Sequence, residues 1–125
     1  RRCEMVRKIQ PDCVLSIHQN SYPEEAIHGA QVFYYEDSSE GKKLAEILQK
    51  HLVEVLDKEN HRQAKGNRTY YMLKKTEATL VIVECGFLSN NQEALLLTDE
   101  KYQNKVAKAI CSGTLEYLSS LAEKK

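Results

Sequence analysis

Leu80-Val81-Ile82-Val83 is a run of four apolar residues, three of them β-branched. A short run of this kind reads as a strand buried on both faces, as in the interior of a parallel sheet. Glu84 closes the run, and the glycine that follows at Gly86 offers a sharp turn. In open α/β sheets, ligands bind at the carboxyl edge of the strands. A carboxyl placed there is poorly solvated, so its pKa rises toward the range useful for proton transfer. The plainer alternative is that Glu84 reaches water at the strand end or pairs with a lysine.

Cys13-Val14-Leu15-Ser16-Ile17-His18 repeats the pattern, apolar but for Ser16 and closed by a titratable group, with Gln19-Asn20-Ser21 following. If the two strands run parallel in one sheet, His18 and Glu84 emerge at the same edge. An imidazole and a carboxylate there suit metal-assisted hydrolysis, with histidine holding the ion and glutamate taking a proton from water. They also suit a plain acid/base pair. Taken singly, His18 is better read as a hydrogen-bonded core histidine, and only the convergence with Glu84 favours a functional role.

The length of 125 residues suits one domain with one hydrophobic core. Eighteen basic residues balance eighteen acidic ones, so no general attraction to nucleic acid or to an anionic membrane is expected. No apolar run is long enough for a membrane span, and the start does not resemble a signal peptide. Cys3, Cys13, Cys85 and Cys111 are widely scattered, without the two-residue spacing of a zinc knuckle or redox motif, and are read as free thiols. Cys85 as a nucleophile activated by His18 is an alternative, although nothing basic adjoins it to lower its pKa.

Met5, Val6 and Ile9 stand at helical spacing before Pro11, like the back half of a helix. Ala30 to Tyr35 reads as a strand. Asp37 and Glu40 have capping-box spacing ahead of a helix from about Ser38 to Lys58, with an apolar stripe of Leu44, Ile47, Leu48, Leu52, Val55 and Leu56. This helix would be a crossover, right-handed if it joins parallel strands. Glu59 to Asn67 is a polar, basic loop, and Thr69 to Leu73 a short strand. Ser89 with Gln92, or Asn90 with Glu93, marks a short helix start. A longer helix begins at Thr98-Asp99-Glu100 and buries Tyr102, Val106, Ala109, Ile110, Gly113, Tyr117 and Leu121, with Gly113 permitting close packing. The fold class expected is α/β, a mixed, largely parallel sheet flanked by helices, truncated at its amino terminus.

These residues resemble the zinc-dependent N-acetylmuramoyl-L-alanine amidases of bacterial cell walls. Ser16-Ile17-His18-Gln19-Asn20-Ser21 is similar to that family's Ser-x-His-x-Asn signature, and Val83-Glu84-Cys85-Gly86-Phe87-Leu88-Ser89-Asn90 to its Val-Glu-x-Gly-Phe-x-Ser-Asn signature. Gly29 to Tyr35, Leu44-Ala45, Tyr71 to Lys74, Glu93 with Leu95-Leu96, and Ala109-Ile110 with Gly113 follow the family's order, so the likeness spans nearly the whole chain. Within the family it looks most like the spore-cortex, germination-associated subgroup.

The resemblance implies a zinc hydrolase that cleaves the amide between N-acetylmuramic acid and the first L-alanine of peptidoglycan, acting outside the cytoplasm at the cell wall or spore cortex. His18 would be a zinc ligand and Glu84 the catalytic acid/base; Asn20 is left a turn-forming role. A catalytic zinc takes about three protein ligands with one position open. The family draws a histidine from a Gly-His-Gly-type loop and a further glutamate, and neither motif occurs in these 125 residues. His28, His51 and His61 match no ligand position. Residues 1–125 are thus expected to form a single, partial amidase catalytic domain with half a metal site, inactive alone, whose exposed sheet edge invites pairing with a second copy. The rival reading is a non-catalytic module that uses the same edge to bind wall glycopeptide or a protein partner.

Overall fold

The computed structural model describes residues 2–20, 24–70 and 77–123. In chain order the elements are α1 (Arg2–Ile9), β1 (Val14–Asn20), β2 (Gln31–Tyr35), α2 (Ser39–Leu56), β3 (Lys65–Asn67), β4 (Leu80–Phe87), α3 (Asn91–Thr98) and α4 (Glu100–Glu123). One sheet has the order β1-β4-β2-β3. β1 runs parallel to β4, β3 parallel to β2, and β2 antiparallel to β4. The fold is the mixed, mainly parallel α/β sheet expected, and α2 links the adjacent parallel strands β2 and β3.

All eight residues of β4 are buried, as its composition demanded. The strand is longer than the apolar run, however, and Gly86 lies within it rather than at a turn. Pairing alternation puts Leu15, Val81, Val83, Cys85, Val32 and Tyr34 on one face, against α2 and α4, in the main core. The other face carries a smaller cluster, Leu80 and Ile82 with Val14, Phe33, Tyr35 and Tyr70.

The helices hold the main face by close approach. In α2, Leu44, Leu48 and Leu52 are fully buried, whereas Val55, expected in the stripe, is 45% exposed. In α4, Val106, Ala109, Ile110, Gly113 and Tyr117 are buried, and Tyr102 and Leu121 half-buried. A Cβ on Gly113 would stand 2.8 Å from Leu48 Cδ2 and 3.4 Å from Leu48 Cα, so this glycine does allow the helices to meet. Tyr117 donates its hydroxyl proton to Glu40 Oε1 at 2.9 Å, and this bond together with burial pushes the phenol up to about 12.

Three local readings are corrected. Ser38, not Asp37, caps α2, its hydroxyl accepting from Gly41 N at 2.9 Å; Asp37 instead receives a two-pronged hydrogen bond from Arg68. The short strand is Lys65–Asn67, inside the segment read as a loop. Asn67 Oδ1 accepts from the backbone N–H of both Thr69 and Tyr70, a side-chain turn that ends the strand where another was expected to begin. Residues 71–73 of the expected strand lie outside the described residues. α1 ends at Gln10, whose φ of 52° turns the chain before Pro11, and Met5 and Ile9 are exposed rather than packed.

Sequence periodicity also missed Gln49, a buried polar residue within the apolar stripe of α2. Its side-chain oxygen accepts from Val32 N at 2.8 Å and its nitrogen donates to Ala30 O at 3.0 Å, so the amide acts as a short strand against the start of β2. Ala30 O has a second donor in Asn60, whereas Val32 N depends on Gln49. Gln49→Leu is therefore expected to cost about 1–3 kcal/mol, the penalty of one orphaned buried donor. Urea denaturation checks this, and an unchanged midpoint would show that Val32 N finds another acceptor.

Candidate active site

β1 and β4 pair in parallel with His18 opposite Glu84, so the two residues occupy adjacent strands, about 4.8 Å apart, and project from the same face. The juxtaposition read from the sequence therefore exists, but on a face of the sheet rather than at the strand ends, since β4 continues past Glu84 to Phe87 and β1 past His18 to Asn20. Their surroundings differ. Glu84, on the central strand, is 7% exposed, whereas His18, on an edge strand, is exposed. Burial raises the Glu84 carboxyl above its ordinary pKa, and the charge of His18 partly opposes that rise. Among the described residues, Glu84 Oε2 is the one buried side-chain oxygen or nitrogen without a hydrogen-bond partner. The His18 ring is steadied by a 2.7 Å hydrogen bond between Nε2 and Ser16 Oγ, from the residue two positions earlier on the same face.

On the other side of Glu84 stands Gln31, its register partner in β2. The Gln31 side-chain nitrogen donates to the Gln63 carbonyl, and its oxygen accepts from Arg62 Nη1 at 3.2 Å. Arg62 also donates from Nε to the His28 carbonyl at 2.9 Å and lays its guanidinium over the Phe87 ring, 5.1 Å from the centroid. Tyr70 closes the lower part of the face, edge-on to Phe33 at 5.5 Å. Burial and the nearby Glu84 charge raise its phenol pKa.

The residues after Glu84 have a structural task. Asn90 caps α3 by accepting from Glu93 N at 3.0 Å and donates to the Glu25 carbonyl at 2.8 Å. The Glu93 carboxylate accepts from Phe87 N and from Gly29 N, both at 2.8 Å. It thereby ties the end of β4 to the loop that enters β2, where Gly29 adopts a left-handed φ of 104°. A Cβ on Gly86 would approach the Glu93 carboxyl at 3.3 Å. Gly86 is thus a glycine for clearance, not for turning.

Cys85 lies on the opposite face, buried in the main core. Burial, reinforced by the Glu84 charge, pushes its thiol up to about 11, which removes the nucleophile alternative. Cys3, Cys13, Cys85 and Cys111 are all free thiols. His51 pairs with Glu116 at 2.9 Å between α2 and α4, far from the Glu84 face. His61 lines an open groove of about 660 Å³ between α2 and residues 60–64, which includes neither His18 nor Glu84. The exposed imidazole and the unpartnered carboxyl oxygen suit a metal edge in kind but not in number. Among the described residues, no group of three or more His, Cys, Asp or Glu side chains is placed to hold an ion. Sequence reasoning missed Gln31, Arg62 and the bridging role of Glu93. The glycine ahead of β2 and the basic residue in the 59–67 loop were the available signals.

Residues 1–116 match the N-acetylmuramoyl-L-alanine amidase family. The germination-specific N-acetylmuramoyl-L-alanine amidase of Bacillus subtilis is 35% identical over 119 residues, which cover 95% of this chain and 50% of that protein. The CwlD amidase of Clostridioides difficile, solved in complex with the GerS lipoprotein, superposes with a TM-score of 0.92 at 41% identity, covering 95% of this chain and 60% of that one. For the amidase AmiC2 of Nostoc punctiforme the values are 0.85 and 29%, covering 94% and 64%. The chain thus spans about half to two thirds of the length of these relatives. With His18 and Glu84, one from each signature, side by side on one sheet face, a family match over nearly its whole length and superposition on solved amidases, the chain belongs to the N-acetylmuramoyl-L-alanine amidase family.

Proposed function

We propose that residues 1–125 are part of an amidase catalytic domain that hydrolyses the bond between N-acetylmuramic acid and L-alanine in peptidoglycan, outside the cytoplasm, at the wall or spore cortex. The observation that carries this reading is the buried, unpartnered oxygen of Glu84 beside the exposed imidazole of His18. A carboxyl kept from water with a raised pKa is suited to receive a proton and return it near neutral pH. Glu84 takes a proton from the attacking water as oxygen adds to the amide carbon. The C–N bond then breaks and Glu84 delivers the proton to the departing amine. The products are the lactyl carboxylate of the muramic acid and a peptide with a free amino terminus.

His18 would supply one ligand toward the zinc that the family resemblance implies; no group of three or more His, Cys, Asp or Glu among the described residues is placed to complete the set. A zinc ion held there would polarise the scissile carbonyl and acidify water. The hydrogen bond between Ser16 Oγ and His18 Nε2 orients the ring and leaves Nδ1 as the nitrogen that would hold the ion. No described helix is long and apolar enough to cross a membrane. Among the described residues no strand lies on the outer side of β1, and its Ile17 is 55% exposed, so this edge is also where a second copy would pair.

A chimera tests the role of Glu84. Residues 1–125 replace the matching half of the B. subtilis germination-specific amidase, and hydrolysis of muramyl-L-alanine peptide is measured. Glu84→Gln is expected to lower kcat by about 10²–10⁴-fold with zinc content unchanged; undiminished turnover removes Glu84 from this role. The metal-free 125-residue chain gives a second check. A native pKa raised above 4.5 means that the folded state holds the Glu84 proton more tightly than the unfolded state. Stability is therefore lost as pH rises from about 4.5 through the raised value. Glu84→Gln is expected to match wild type below pH ~4.5 and to become increasingly more stable above it, as read by thermal melts across that range. Parallel pH profiles for both proteins would contradict the buried-carboxyl description.

A further inference from the structure

The guanidinium of Arg62 is fixed in place by neutral groups only. Nε is spent on the His28 carbonyl, Nη1 on the Gln31 side-chain oxygen, and the flat face rests on Phe87. Nη2 makes no hydrogen bond to a described residue, and no carboxylate among the described residues pairs with Arg62. The contrast with Arg68 is direct, because Arg68 spends its charge on Glu36 and Asp37 at 2.8 Å. In a chain of zero formal net charge, an oriented and uncompensated arginine is a local feature rather than part of a basic surface. Its position is also specific: the side chain it touches, Gln31, is the register partner of Glu84.

We propose that Arg62 anchors a substrate carboxylate beside the reacting amide, making the site selective for an acidic stem peptide. This rests on the amidase reading above. A stem peptide bears a carboxylate on the residue after L-alanine, and one residue of extended chain spans about 3.5 Å. A scissile amide held at Glu84 therefore carries that carboxylate past the neighbouring strand, where Gln31 and Arg62 stand. A guanidinium with a free edge binds a carboxylate through charge-assisted, directional hydrogen bonds, and it distinguishes the anion from a carboxamide of the same shape. The bonds to His28 and Gln31 hold the fork before substrate arrives, so little side-chain freedom is lost on binding.

The test is a binding titration of the 125-residue chain, followed by heteronuclear NMR, with two muramyl tripeptides. They differ only in a free carboxylate or a carboxamide on the second residue. The wild-type chain is expected to bind the carboxylate form about tenfold more tightly, a preference that weakens with added salt. Arg62→Met is expected to reduce the preference to less than twofold, and Arg62→Lys, which keeps the charge without the fork, to leave an intermediate value. The comparison of the two ligands on the wild-type chain stands even where a variant fails to fold. Equal binding of the two forms by wild type, or full preference in Arg62→Met, overturns the anchor while leaving the amidase reading intact. Binding of neither form also overturns it, and the amidase reading is then judged by the Glu84 chimera alone.

Discussion

The parallel pairing of β1 with β4 is what sets His18 beside Glu84. Strand side chains alternate with a period of two, so a one-residue slip would send His18 or Glu84 to the helix-covered face. The register is held because β4 is buried on both sides. Val81, Val83 and Cys85 face α2 and α4, and Leu80 and Ile82 face the smaller cluster. A slip would drive Glu84 into the main core and expel valines from it. The core thus fixes the chemistry by leaving one arrangement that keeps apolar side chains dry.

Within that frame the buried polar groups divide into two kinds. Gln49 and Gln31 are buried and hydrogen-bonded, the first completing the backbone of β2, the second bridging Gln63 and Arg62. Glu93 does similar work where the end of β4 meets the loop before β2. Glu84 is the exception, buried with an oxygen left unsatisfied. A folded protein loses free energy by holding a group in this state. Among the described residues, Glu84 Oε2 is the one buried side-chain oxygen or nitrogen that the chain itself leaves without a partner, in contrast to the neighbouring amides.

The two faces of the sheet divide the labour. One is a closed hydrophobic contact in which Gly113 allows α4 to touch Leu48. The other carries Glu84, His18, Gln31 and Tyr70 above a small apolar floor. Membership of the amidase family agrees with this division, since His18 and Glu84, one from each signature, lie on the open face.

Much of the architecture was legible in the residues themselves. A fully apolar run specifies a doubly buried strand, and the spacing of Val106, Ala109, Ile110, Gly113 and Tyr117 specifies the buried face of a helix, because both are short-range consequences of backbone geometry. His18 and Glu84 were legible because each ends an apolar run, although both strands continue beyond it. The choice of Ser38 over Asp37 as cap was not, because distant Arg68 takes up Asp37; nor was the strand at Lys65–Asn67, which exists only against β2; nor the clearance at Gly86, which is set by the packing of α3 on β4. Sequence alone thus determined that β4 is buried and which titratable groups follow the apolar runs, as local periodicity carries that information. Only the tertiary structure decided that Gln31 and Arg62 adjoin Glu84, because strand order and loop closure bring together residues that no spacing rule connects.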